Sequence, residues 1–130
     1  MLVQIGALKL VIQKLGTPIA TKCAGGGDEW AMFNVVTNSG ATKCVVVASA
    51  GDPQSVQPEW LQNAVGSKAD IVVCAARQHG STTSNVSTIL GKNGYEEIWF
   101  QNFHTEQAIL RDILNDAAAE SIVQLIHQLP

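Results

Sequence analysis

Thr42-Lys43-Cys44-Val45-Val46-Val47-Ala48-Ser49-Ala50 is the stretch that decides how this chain is read. Valine suits a pleated backbone, and Cys44-Val45-Val46-Val47 is apolar at every position rather than at every second one. A strand that hides one side alternates; a strand apolar throughout needs cover on both faces. Ala69-Asp70-Ile71-Val72-Val73-Cys74-Ala75-Ala76 repeats the pattern. Residues 44–48 and 71–76 are therefore expected to be inner strands of a sheet clad by helices, with water excluded from either side.

Working outward, residues 18–24 and 29–37 read as strands separated by Gly25-Gly26-Gly27, and Asn38-Ser39-Gly40 turns the chain into 42–50. The result is a three-stranded meander. Ahead of it, Ile5, Leu8, Val11, Ile12 and Leu15 stand at helical spacing and Gly16 stops the run. Leu8, Leu10 and Ile12 also alternate, so a strand competes there, and the helix is favoured. Pro58 suits a first helical turn, which places a helix from near Gln57 through Trp60, Leu61, Ala64 and Val65 to Gly66. Ser81 to Ser84 cap a short helix holding Val86, Ile89 and Leu90, ended by Gly91 and Gly94. Glu97-Ile98-Trp99-Phe100 reads as the last strand. Residues 105–128 form a helix whose stripe is Ile109, Leu110, Ile113, Leu114, Ala117, Ala118, Ile122, Leu125, Ile126 and Leu129, with a break expected near Asn115-Asp116.

The order α-β-β-β-α-β-α-β-α, with helices between apolar strands, predicts one α/β domain over residues 1–130. Its form would be a three-layer α/β/α sandwich around a mixed sheet of about five strands. A helix, a meander, a helix and a strand in this order resembles the restriction-endonuclease-like fold. That resemblance implies Mg²⁺ held by an acid on the second meander strand and a Glu-x-Lys pair on the third. Here the third strand, Lys43 to Ser49, carries no acid; Asp28 and Glu29 stand at the entrance to the second, and Lys43 opens the third. The resemblance thus implies the fold without its metal site, provided that Asp28 and Lys43 fall on adjacent strands.

Composition narrows the function classes. Hydrophobic residues make up 46% and charged residues 15% of the 130, against about 25% charged in average proteins, which argues against disorder. So sparsely charged a surface favours self-association, and a homo-oligomer is expected. Net charge is −3, and the eight Lys and Arg are scattered. Nucleic-acid affinity rests on neutralised phosphates, so nucleic acid is not the expected partner. Lys9 and Lys14 interrupt the apolar N-terminal stretch, leaving neither a signal peptide nor a membrane span, and a cytoplasmic protein is expected. Cys23, Cys44 and Cys74 are odd in number and far apart, which reads as reduced, buried thiols. No metal and no cofactor is expected.

The strongest candidate site follows the strand ending at Ala76. Ligands collect beyond the carboxyl ends of strands in open α/β sheets, and a helix N-terminus there offers unpaired N–H groups. Arg77 can grip an anion with two donors, and His79 can exchange protons near neutral pH. Gly80 allows close approach, and Ser81, Thr82, Thr83 and Ser84 add hydroxyls. A phosphate, nucleotide or other small anionic ligand would fit. Arg77-Gln78-His79-Gly80-Ser81 is also similar to the arginine-histidine-glycine signature of histidine phosphatases, but Gln78 separates the pair that is adjacent in that family. The segment matches neither a P-loop nor a GxGxxG turn.

Among the remaining groups, Trp99, Phe100 and Phe103 form the expected interface patch, since aromatics concentrate at interface cores. Without a paired acid and base or an activated nucleophile, the sequence points first to a small soluble binding or interaction protein that self-associates. The alternatives are a small enzyme or nucleotide/phosphate-binding protein using loop 77–85, and a nuclease-like fold lacking its metal site.

Overall fold

A computed structural model describes residues 5–24, 27–50, 56–76, 81–100 and 105–130. In chain order these form α1 (Ile5–Lys14), β1 (Ala20–Cys23), β2 (Glu29–Val36), β3 (Thr42–Ala48), α2 (Gln57–Gly66), β4 (Ile71–Cys74), α3 (Ser81–Gly91) and α4 (Ala108–Gln128). Among the described residues the fold is thus mixed α/β, with four helices and one four-stranded sheet in the order β1-β2-β3-β4. The meander is antiparallel, with Ala20 opposite Met32 and Phe33 opposite Val45. β4 joins parallel to β3, Val46 opposite Val72.

Val45 to Ala48 are buried as their composition demands, while Cys44 ahead of them is only half-buried. Val45 and Val47 pack with Ala31, Phe33 and Val35 of β2 against Leu8 and Val11 of α1 and Ala119, Ile122 and Ile126 of α4. Val46 and Ala48 turn the other way, towards Trp30, Trp60 and Ala64. α2 and α3 meet around Leu61, Cys74, Val86 and Leu90. Lys14 ties α1 to α4 through Glu120 (2.8 Å) and Asp116 (3.0 Å), contacts that raise its pKa, the Glu120 hydrogen bond most. Gly40, at φ +86°, makes the β2–β3 turn in a conformation that side chains disfavour. Asn38 N–H donates to His127 O (2.7 Å) and anchors the end of α4 to that turn.

Four expectations need correction. First, Glu97 to Phe100 is not a strand, and the sheet has four strands rather than five. Tyr95 donates its hydroxyl to Ala69 O (2.5 Å), which fixes the start of this segment against the loop before β4. Trp99 Nε1 donates to Glu97 Oε2 (3.1 Å), within the segment itself. Second, β4 is an edge strand whose Ile71, Val72 and Val73 are only half-buried, not an inner one sealed from water.

Third, α4 runs unbroken through Asn115 and Asp116. Asp116 is held by Lys14, and Asn115 sits on the buried face. That face is Asn115, Ala118, Ala119, Ile122 and Ile126, not the ten-residue stripe read from the sequence. At about 100° per residue, Ile109 and Ile113 fall opposite it, and both are exposed. Fourth, all three cysteines are free thiols but only Cys74 is buried; Cys44 is half-buried and Cys23 exposed.

Candidate functional site

The carboxyl ends of β3 and β4 lie side by side, and the first turn of α2 is bolted to them. Gln57 is fully buried at the start of α2, and its Nε2 donates to Ala75 O (2.6 Å), just past β4. Ser49, also fully buried, accepts from Glu29 N–H (2.9 Å) and donates to Asp28 Oδ1 (3.4 Å). These polar groups brace strand ends and loops.

The expected anion loop begins at this point. Arg77, His79 and Gly80 lie outside the described residues. Ser81 is the first residue of α3, and Thr82, Thr83 and Ser84 follow in its first turns, with Thr83 half-buried and Ser84 exposed. Of the expected interface patch, Trp99 is 42% exposed, Phe100 packs partly into the core between α1 and α4, and Phe103 lies outside the described residues.

Asp28 stands just before β2 and Lys43 lies in the neighbouring strand β3, but at opposite ends of the ladder. Lys43 is opposite Val35, whereas Asp28 sits beside Ser49 at the other end of the β2–β3 ladder. Among the described residues, no cluster of three or more His, Cys, Asp or Glu is placed to hold a metal. None of their helices is long and apolar enough to cross a membrane.

Two apolar features escaped the sequence reading. One is the outward face of α4's first turns: Ile109 is 78% exposed, Ile113 58% and Leu110 43%. The other is a groove of about 830 Å³ beside β4, walled by Val72, Cys74, Tyr95, Ile98, Trp99 and Leu125. Among the described residues, the charged side chains at the groove are Asp70, Glu96, Glu97 and Lys68. The apolar residues spread around α4 were the available signal for the first feature, because a helix apolar on all sides normally lies wholly buried.

Cys74 lines the groove as an inert thiol. Burial pushes its pKa up to about 12 from an ordinary 9.0, and the Glu97 carboxylate adds to the effect. The folded protein therefore holds this proton more tightly than the unfolded chain. Its contribution to stability is complete below pH 9 and is lost as pH rises from 9 towards 12. Urea midpoints of the wild type should fall between about pH 8 and about pH 10.5 more steeply than those of Cys74→Val. Parallel declines in the two proteins would contradict the assignment.

These features define a mixed α/β protein whose sheet ends at β4 among the described residues and whose helix α4 leaves apolar side chains exposed. No protein-family model, curated protein or solved structure matches the chain significantly.

Proposed function

We propose that this chain is a small, soluble, cytoplasmic binding or interaction protein that self-associates and has no recognisable catalytic site. The observation that carries this reading is the outward face of α4. Ile109, Leu110 and Ile113 stand exposed on the side away from the helix's buried residues. Together the three leave roughly 350 Å² of apolar surface in water, within the range of a monomer's largest patch. A second copy placing the same helix face against this one would cover both. Light scattering coupled to size exclusion, run from low to high micromolar protein, should return twice the mass of one chain at the upper end. A single-chain mass throughout the range would end the proposal.

The same reading takes the layers as an α/β/α sandwich in the restriction-endonuclease-like order. The support is that β3 sends alternate residues to α1 and α4 on one side and to α2 on the other. The separation of Asp28 from Lys43 is why cleavage chemistry is not proposed with the fold.

A second reading, an anion held by loop 77–85, draws on one fact: α3 begins at Ser81, shortly after the carboxyl end of β4. Inorganic phosphate should then raise the melting temperature by mass action, and Arg77→Ala should abolish the rise. A melting curve indifferent to phosphate, sulfate and nucleotides would dispose of it.

A further inference from the structure

The sheet stops at β4, although nothing in the strand itself requires it to stop. Ser49 N–H donates to Glu29 O (2.9 Å), so residues 49, 47 and 45 spend their backbone groups on β2. By alternation, Val46 and Ala48 face β4. In the parallel ladder, with Val46 opposite Val72, they bond Ile71 and Val73. The N–H and C=O groups of Val72 then point away from β3 at the half-buried middle of the strand, while Cys74 beyond it is buried against Leu61, Val86 and Leu90, and among the described residues no further strand pairs with this edge. Native proteins seldom leave such an edge bare beside apolar surface. Here it opens on the groove, with Leu125 of α4 on one side and Tyr95, Ile98 and Trp99 on another.

We propose that this groove binds an extended peptide segment of a partner protein. The segment would add to β4 as a strand, with apolar side chains at alternate positions and lysine or arginine at one end. The open backbone groups select an extended main chain, because only that conformation offers donors and acceptors in matching register. The apolar walls select alternate side chains. Charge selects the flank: among the described residues that line the groove, Asp70, Glu96 and Glu97 outnumber Lys68. A second copy of this acidic chain, net charge −3, would bring the same carboxylates to its own edge and fits less well. The inference does not depend on self-association, which uses Ile109 and Ile113 rather than the α4 residues that wall the groove.

The test uses a fluorescein-labelled heptapeptide, Lys-Lys-Val-Thr-Val-Thr-Val, followed by anisotropy on the full chain. Saturable binding is expected. Replacing the two lysines with glutamates should weaken it at least tenfold, and proline in place of both threonines should abolish it. Leu125→Lys, at a position 40% exposed where folding can be verified by circular dichroism, should weaken binding at least tenfold. The same titration on Ile109→Asp/Ile113→Asp should give unchanged affinity, which separates this proposal from the self-association reading. Absence of binding, equal binding of the proline peptide (an apolar cleft rather than a strand site) or equal binding of the glutamate peptide would each overturn it. Binding seen only in the double aspartate variant would overturn it as well, by showing that a second copy already fills the groove.

Discussion

Phe33→Ala is expected to lower the unfolding free energy by about 3–5 kcal/mol, the range for removing a phenylalanine from a packed core. Phe33 is 1% exposed and heads the fully buried side chains by size. It sits mid-strand in β2 opposite Val45, and the cluster around it draws on α1, α4, β2 and β3 together. Sheet and helices on that face cannot close the gap independently, because each is fixed by the others and by the Lys14 contacts to Asp116 and Glu120. Domains of this size are stable by about 5–15 kcal/mol, so the variant should lose a substantial fraction of its stability. Urea unfolding followed by tryptophan fluorescence gives the difference. A loss below about 1 kcal/mol would mean that the α1–β2–α4 core is not packed as described.

Ile109→Asp combined with Ile113→Asp is expected to weaken self-association at least ~100-fold. Burying an isoleucine is worth roughly 1.5–3 kcal/mol, and each symmetric interface would lose two from each copy while gaining charge at an apolar contact. The isolated protomer should be spared. Both positions are exposed, and aspartate near the start of a helix interacts favourably with its positive end. α4 begins at Ala108 with no side-chain cap from Gln107, so added acid there has something to stabilise. Sedimentation velocity of wild type and variant over the same concentrations measures the first effect, and thermal melting the second. An unchanged association constant would remove the α4 face from the interface. A large fall in melting temperature of the dilute, monomeric variant would mean that these side chains serve the protomer's own core.

What could be read in the sequence follows from what side chains report. Cys44 to Val47 announce cover on both faces, and β3 has it, because facial burial depends on side-chain chemistry. Ile71 to Cys74 announce the same, yet β4 lies at an edge. Pairing in the plane of the sheet is made by backbone groups, which every residue carries, and the sequence is nearly silent about it. Glu97 to Phe100 carry strand-prone side chains, but a strand also needs a neighbour's hydrogen bonds, and no described strand supplies them. In α4 the apolar residues outnumber what one face can hold, so the periodicity marked the helix correctly and its buried side wrongly. The surplus, Ile109 and Ile113, is the proposed interface. The start of α2 at Gln57 and of α3 at Ser81 followed from Pro58 and from the serine–threonine run, both local signals. The polar brace of Gln57 on Ala75 had no such signal, since it joins residues that only the fold brings together.

Self-association through the outward face of α4 is the claim on which the functional account rests. It is tested most directly by mixing protein labelled with ¹³C at isoleucine methyl groups with unlabelled protein, and recording only transfers between different copies. The account predicts intermolecular transfers to the methyl groups of Ile109 and Ile113, growing with concentration. A protein that associates in the same sample yet shows transfers only to other isoleucines, or none at all, would contradict it.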